Sequence, residues 1–366
     1  MSQKLRKFFK AFGALLLLFL LYALGIILYG TYTDYQPTGV APLQVQQQGT
    51  APLPADSTLS LLSWNLGYCG LGAKCNFFYN GGGFFLAGDK MVRPPEELVQ
   101  ENYQGVRKLI QNNPSDIYLL QEVDMASKRS YFLNQYEGVK ELLGGFVSSF
   151  APNFKVDRVP IPILEPWRAY GQAHSGLATY SRYTPNKVER HQLPGEHGWP
   201  DRIFQLDRCA AVHYLPVDNG KQLVLLNIHN SAYDKNGVLK KQQMNYLKDF
   251  LLAEYEKGNY VIAGGDWNQC PPFFKFDAFR PGGRPYQAHY NIDAEFMPSD
   301  WQWIYDPTLP TSRSTKEFFD PKSTFITLID YFLISPNINA LKVKTINQDF
   351  RFSDHQAVRM EVRLGG

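Results

Sequence analysis

The stretch Val261-Ile-Ala-Gly-Gly-Asp-Trp-Asn268 decides how this chain is read. A short apolar run enters Gly264-Gly265, expected to form a sharp turn, and Asp266 and Asn268 follow at once. Such a segment is a buried strand that delivers two polar side chains at its end. Residues i and i+2 of an extended chain face the same way, so both can address one substrate atom. Taken alone, the pattern is equally an Asx turn closing a core strand. What tips the balance is that other strands end in the same chemistry.

Upstream, residues 240–255 carry Met244, Leu247, Phe250 and Leu251 at helical spacing. The apolar run 223–228 delivers His229, and 209–214 and 175–181 are strand-like. Asp116-Ile-Tyr-Leu-Leu-Gln-Glu122 is a strand ending in Glu122, and Leu59-Ser-Leu-Leu-Ser-Trp-Asn65 is one ending in Asn65. Between them Pro94-Pro95-Glu96-Glu97 opens a helix, with proline and acids in the first turn. A second helix is expected over 133–143. Downstream, 328–335 is a strand carrying Asp330, 341–346 is another, and Ser353-Asp354-His355 leads into a last strand over 356–362. Residues 67–88 are rich in glycine and aromatics, as functional lids and binding loops often are, and 270–322 are expected to be long loops. There is no fixed-period repeat. Many strands with few helices predict an α+β fold, sheets packed on each other with helices outside.

The N-terminus is a different material. Lys4, Arg6, Lys7 and Lys10 precede an uncharged run rich in Leu, Ile and Phe from 11 to 29. A bilayer needs about 20 such residues. A cleaved signal peptide has a shorter apolar core, about 7–15 residues, and a small-residue cleavage site. Gly-Thr-Tyr-Thr-Asp after Tyr29 is a poor one, so a retained signal-anchor is expected. The basic tip stays cytoplasmic and the rest faces outward. Three regions follow: 1–32 as tip and transmembrane anchor, 33–58 as a Pro- and Gln-rich stalk, and 59–366 as the catalytic domain.

The formal charge of +3 comes from that tip. Residues 1–40 hold four basic residues and one acid, so 33 basic (37 less four) and 33 acidic (34 less one) remain beyond it. A neutral folded part argues against a tight nucleic-acid binder. Cys69, Cys75, Cys209 and Cys270 match no zinc spacing. Outside the cytosol they are free to pair, with Cys69–Cys75 closing a short loop.

The strand-end residues are Asn65, Glu122, His229, Asp266, Asn268, Asp330, Asp354 and His355. Carboxylate and amide oxygens suit a hard cation such as Mg²⁺. Histidines donate to phosphate oxygens or move protons. No Gly-x-Ser-x-Gly or Walker-type loop offers another chemistry. The set fits metal-assisted attack of water on a phosphoester.

Seven ordered elements carry a resemblance. They are Ser63-Trp64-Asn65, Leu120-Gln121-Glu122, Gly176-Leu-Ala-Thr-Tyr-Ser181, Asn227-Ile228-His229, Gly265-Asp-Trp-Asn268, Ile329-Asp-Tyr-Phe-Leu-Ile-Ser335 and Ser353-Asp354-His355. In this order they resemble the endonuclease/exonuclease/phosphatase superfamily, the DNase I-like enzymes, over about residues 59–364. The resemblance implies a four-layer α/β/β/α sandwich with a site at one rim. It implies that Glu122 ligates Mg²⁺ (Mn²⁺ as an alternative), with Asn65 beside it and Asp354 near. It implies that Asp266 orients or deprotonates the attacking water, and that Asn268 and His355 contact the phosphate. Asp330 would orient His355, and His229 would donate a proton or stabilise the transition state. Arg208 is a weaker candidate for touching phosphate. One departure stands out: Gly67 occupies a position where some family nucleases carry an acid.

The expected partner is therefore a phosphoester substrate, with the membrane reached through the N-terminal helix and no protein partner. The anchor, the neutral domain and Phe77, Phe78, Phe84, Phe85, Phe273 and Phe274 favour a lipid headgroup or small phosphoester. The alternatives are an extracytoplasmic nuclease and a binding module that has lost catalysis.

Overall fold

A computed structural model describes residues 2–365 apart from 38, 47, 48, 51, 233, 235, 236, 276–278 and 280–289. Residues 276–278 and 280–289 of the predicted 270–322 loop therefore lie outside the described residues. The chain runs α1 (Gln3–Thr33), β1 (Val40–Pro42), β2 (Thr58–Asn65), α2 (Glu96–Asn112), β3 (Ile117–Asp124), α3 (Gln135–Leu142), β4 (Val147–Val159), β5 (Gly171–Ser181), β6 (Lys187–Gln192) and β7 (Cys209–Pro216). It continues with β8 (Gln222–His229), α4 (Val238–Glu256), β9 (Tyr260–Asp266), β10 (Gln302–Ile304), β11 (Ser312–Arg313), β12 (Ile326–Thr327), β13 (Asp330–Ile334), β14 (Ile338–Thr345) and β15 (Val358–Leu364).

One large sheet has the order β1-β6-β7-β8-β9-β13-β10 and a second β14-β15-β2-β3-β5-β4, and β11 and β12 form a small two-stranded sheet. The inner faces of the two large sheets meet through Leu59, Leu61, Leu119, Leu225, Ile262 and Phe332. Outside the first sheet α4 lays Met244, Leu247 and Leu251 on Val224, Val261 and Trp267. Outside the second, α2 and α3 bury Val99, Tyr103, Val106 and Val139 against Leu62 and Leu120. This is the expected α+β sandwich of four layers. Strands covered on both faces lose the apolar-polar alternation, which is why every residue of β9 and β13 is buried.

Each large sheet contains one parallel pair, β2 with β3 and β8 with β9. Parallel neighbours need a long crossover, and α2 and α4 lie in these two connections. Both strands of such a pair end at the same edge. Asn65 pairs with Gln121 and His229 with Asp266 in register, so the two polar endings meet at one rim.

Three expectations change. Gly264 and Gly265 make no turn, because β9 continues through them to Asp266. They are needed for close packing: a Cβ on Gly264 would lie 2.5 Å from the Phe332 ring, and one on Gly265, at φ +145°, 2.1 Å from the Ile228 carbonyl. The stretch 33–58 is no free stalk. β1 pairs with β6, and Leu53 is buried where it bridges to Val217. Its apolar residues find a place on the domain that composition alone does not reveal. Finally β4, 13 residues long, was not expected. It is an edge strand that tolerates Pro152 at a register shift, and its polar end at Lys155, Asp157 and Arg158 carries no strand signal.

The four cysteines are buried and form no disulfide with one another. Of the loop aromatics, Phe78 and Phe274 are buried in core clusters while Phe84, Phe85 and Phe273 are exposed. Helix α1 alone among the described elements is long and apolar enough to cross a membrane.

Candidate active site

Six elements converge on the rim. β2 ends in Asn65, β8 in His229 and β9 in Asp266, while Asp330 opens β13 directly opposite Asp266. Glu122 sits in β3 at a break in register with β5, at φ +49°, which turns its side chain out of the regular alternation. Asp354 and His355 precede β15. Asn268, at φ +50°, lies just past the strand end, so the i, i+2 rule does not aim it.

Asn65 is the knot between the sheets. Its Nδ2 donates to Glu122 Oε1 at 3.2 Å and to Asp266 Oδ2 at 3.0 Å, and its oxygen accepts from Gly67 N. Expected beside a metal, it holds two carboxylates through Nδ2 alone. His229 Nε2 lies 3.5 Å from Asp266 Oδ2 and 3.9 Å from Glu122 Oε1. His355 Nδ1 bonds Asp330 Oδ2 at 2.8 Å, and its Nε2 points at Asp266 Oδ2, 3.7 Å away. Asn268 donates to the Asn230 carbonyl, and its own N–H donates to Asp266 Oδ1. Arg208 and Asn268 line the same cavity as Glu122, His229, Asp266, Asp354 and His355.

Burial sets the protonation states. It raises Asp266 to about 6, with His355 pulling down and Asp330 pushing up. His229 is driven well below the usual imidazole value by burial, Arg208 and His355, so it is neutral. Burial also pushes His355 down, but the charges of Asp330 and Asp266 outweigh it and hold the imidazolium well above the usual range. Two buried histidines thus take opposite charge states, a division of labour typical of tuned sites.

The donor set fits a divalent cation. Burial raises Asp354 to about 6 and the Glu122 carboxylate adds to the rise, a like-charge pair that a cation would relieve. Gly67 makes room for it: a Cβ there would stand 2.6 Å from Asp354 Oδ1. Asp266, Asp330 and His355 also bring ligand atoms within 4.8 Å of one another. In that group His355 Nδ1 already bonds Asp330 Oδ2.

Several supporting residues carried no signal in the sequence. Thr311 Oγ1 accepts the N–H groups of Ile329 and Asp330. Ser353 Oγ donates to the Asn65 carbonyl. Arg313 holds the carbonyls of Leu71, Gly72 and Cys75, and so the loop under Asp354. Arg129, paired with Asp124 at 2.8 Å and lying 3.8 Å from the Tyr68 ring centroid, walls the site. All are common polar residues, and only the folded chain gives them neighbours. Arg182, beyond the end of β5, pairs with Asp116.

A cleft of buried acids, amides and histidines at the rim of a two-sheet sandwich defines a metal-dependent phosphoric ester hydrolase. Residues 62–355 match the family model described as Endonuclease/Exonuclease/phosphatase family, and the chain belongs to that family. Solved structures share the fold. An endonuclease/exonuclease/phosphatase from Beutenbergia cavernae DSM 12333 is 17% identical with a TM-score of 0.54, covering 84% of this chain and 72% of its own. ANGEL2, titled a 2',3'-cyclic phosphatase, is 12% identical with a TM-score of 0.53 over 90% of this chain and 99% of its own. A Bacteroides vulgatus endonuclease/exonuclease/phosphatase is 13% identical with a TM-score of 0.52 over 84% and 99%. A comparison with curated proteins finds no match.

Proposed function

We propose that this chain is a membrane-anchored, Mg²⁺-dependent phosphoesterase whose substrate is the phosphoester of a lipid headgroup. The observation that carries the reading is one cavity of about 580 Å³ that runs from Asp266, His229 and His355 to apolar walls including Phe84 and Ile163. Such walls suit a substrate that carries an apolar part beside its phosphoester.

In this reading Glu122 and Asp354 hold the cation, and Asn65 fixes the carboxylates of Glu122 and Asp266. Bound Mg²⁺ supplies Lewis-acid stabilisation of charge on the phosphoryl oxygens. Asp266, raised to about 6, takes the proton of the attacking water. Protonated His355, held by Asp330, donates from Nε2 to a phosphoryl oxygen. Neutral His229 orients the water or the leaving group beside Asp266, and Asn268 and Arg208 face the substrate along the wall. Residues 1–32 serve as tip and anchor, with the catalytic domain outside the cytoplasm. Residues 40–58 count with that domain because β1 and Leu53 pack on it.

The test is phosphoester release by the full chain in lipid nanodiscs, with Mg²⁺ or EDTA, beside Asp266→Ala. Sphingomyelin, glycerophospholipids, inositol phosphates and supercoiled DNA are offered in turn. Mg²⁺-dependent release from lipid, lost in the variant, supports the reading. Nicking of DNA with the same dependence and no lipid turnover replaces it with a tethered nuclease.

A further inference from the structure

The catalytic domain does not build its apolar wall alone. Phe19, Tyr22, Ala23, Ile26 and Ile27 of α1 line the same cavity as Asp266 and His355. Their spacing of three and four places them on one helical face. Gly30 continues that face. Buried against Ile203, it is so close that a Cβ would meet Ile203 Cγ2 at 2.8 Å. Polar ties fix the seating: Tyr29 donates to Asp157, Arg158 donates to the Tyr22 hydroxyl, and Trp199 donates to Thr31. Leu17, Leu21 and Leu28 point to the opposite, exposed side.

Length adds a second argument. Residues 11–18 rise only about 12 Å at 1.5 Å each, far short of the roughly 30 Å hydrocarbon core. A helix that crosses must therefore hold Phe19–Tyr29 in lipid too, although that part is packed on the domain. The cavity mouth then opens below the headgroup surface of the outer leaflet. Phe84, Phe85, Leu86, Leu164 and Trp167 are exposed apolar residues, and Phe84 lines the cavity beside α1. Their two loops are joined by backbone hydrogen bonds from Ile163 to Phe84 and from Leu164 to Phe85.

We propose that α1 is part of the substrate site: its Phe19–Ile27 face closes a slot that takes the acyl chain of a lipid entering sideways from the bilayer, with the phosphoester held at the acids. This rests on the phosphoesterase reading, and it makes α1 a specificity determinant rather than a tether.

The experiment uses the full chain in detergent micelles with EDTA, which prevents turnover. Saturable binding of pyrene-labelled sphingomyelin is read by energy transfer from the native tryptophans. Ala23→Phe, which fills the slot, and the milder Ala23→Leu should raise the half-saturating mole fraction, tenfold or more for phenylalanine. Leu21→Phe, on the outer face, should leave it within twofold. Equal binding by Ala23→Phe and wild type, or equal weakening by Leu21→Phe, overturns the slot. Hydrolysis of bis-p-nitrophenyl phosphate with Mg²⁺ is measured beside it. Its absence with slot-dependent binding intact removes the hydrolase reading and leaves the slot, while its presence without slot dependence does the reverse.

Discussion

Replacing Asp330 by asparagine should uncouple the charge of His355 from its position. Asp330 is fully buried and accepts His355 Nδ1–H at 2.8 Å through Oδ2. Its other oxygen, Oδ1, has no hydrogen-bond partner among the described residues. The amide of Asp330→Asn can therefore keep its oxygen on His355 and turn its NH₂ to the unoccupied side, so the ring stays in place. What is lost is one negative charge. At about 4 Å between charge centres and an effective dielectric near 20, a charge pair is worth about 4 kcal/mol. That is on the order of a thousandfold in the proton affinity of the imidazole. Asp266, 3.7 Å from Nε2, retains part of the stabilisation, so roughly a hundredfold to a thousandfold loss is expected. Wild-type His355 stays protonated through neutral pH, because its pKa is held well above the usual value. In the variant it loses its proton at lower pH, and the alkaline limb of kcat/KM moves down. At neutral pH kcat/KM should fall by about 10²–10³, within the usual range for a positioned proton donor. The assay is kcat/KM against pH on bis-p-nitrophenyl phosphate with saturating Mg²⁺, with melting temperature as the check on folding. A folded variant whose kcat/KM stays within twofold, with the alkaline limb in place, refutes the reasoning.

Two further outcomes are expected. Asn65→Ala removes the donor shared by Glu122 and Asp266; the Mg²⁺ concentration for half-maximal activity should rise about 10–100-fold, as when a partner behind a ligand is lost. An unchanged Mg²⁺ titration with lowered kcat would assign Asn65 to Asp266 alone. Buried His213, hydrogen-bonded to Ser149, is lowered by burial to about 4. Between pH 6.5 and 4 the unfolded chain then binds more protons than the folded one, so stability falls as pH falls, by about 3 kcal/mol in total. Urea unfolding of wild type and His213→Asn at pH 7, 5.5 and 4.5 checks this, and parallel curves would contradict it.

The strand endings were readable because they are local. Leu59 to Asn65 and Val261 to Asp266 carry their apolar runs and their polar last residues within a few positions, and the order of such endings along the chain identified the family. The helices α2 and α4 were readable for the same reason, since period and first-turn residues are short-range signals. What joins the endings is not local. Asn65 meets Asp266 across 201 positions, and both depend on two parallel registers and on the packing of one sheet over the other. That position 67 must be small was not local either, since a Cβ there would press on Asp354 Oδ1. Gly264-Gly265 looked like a turn because glycine permits turns as readily as close packing, and only Phe332 and Ile228 decide between them. β4 is half polar because it lies at an edge, and edges are defined by neighbours rather than by residues. The apolar run of α1 was determined by sequence alone. That one face of it walls the cavity was decided by tertiary structure, because a uniformly apolar helix carries no mark of which side meets the protein.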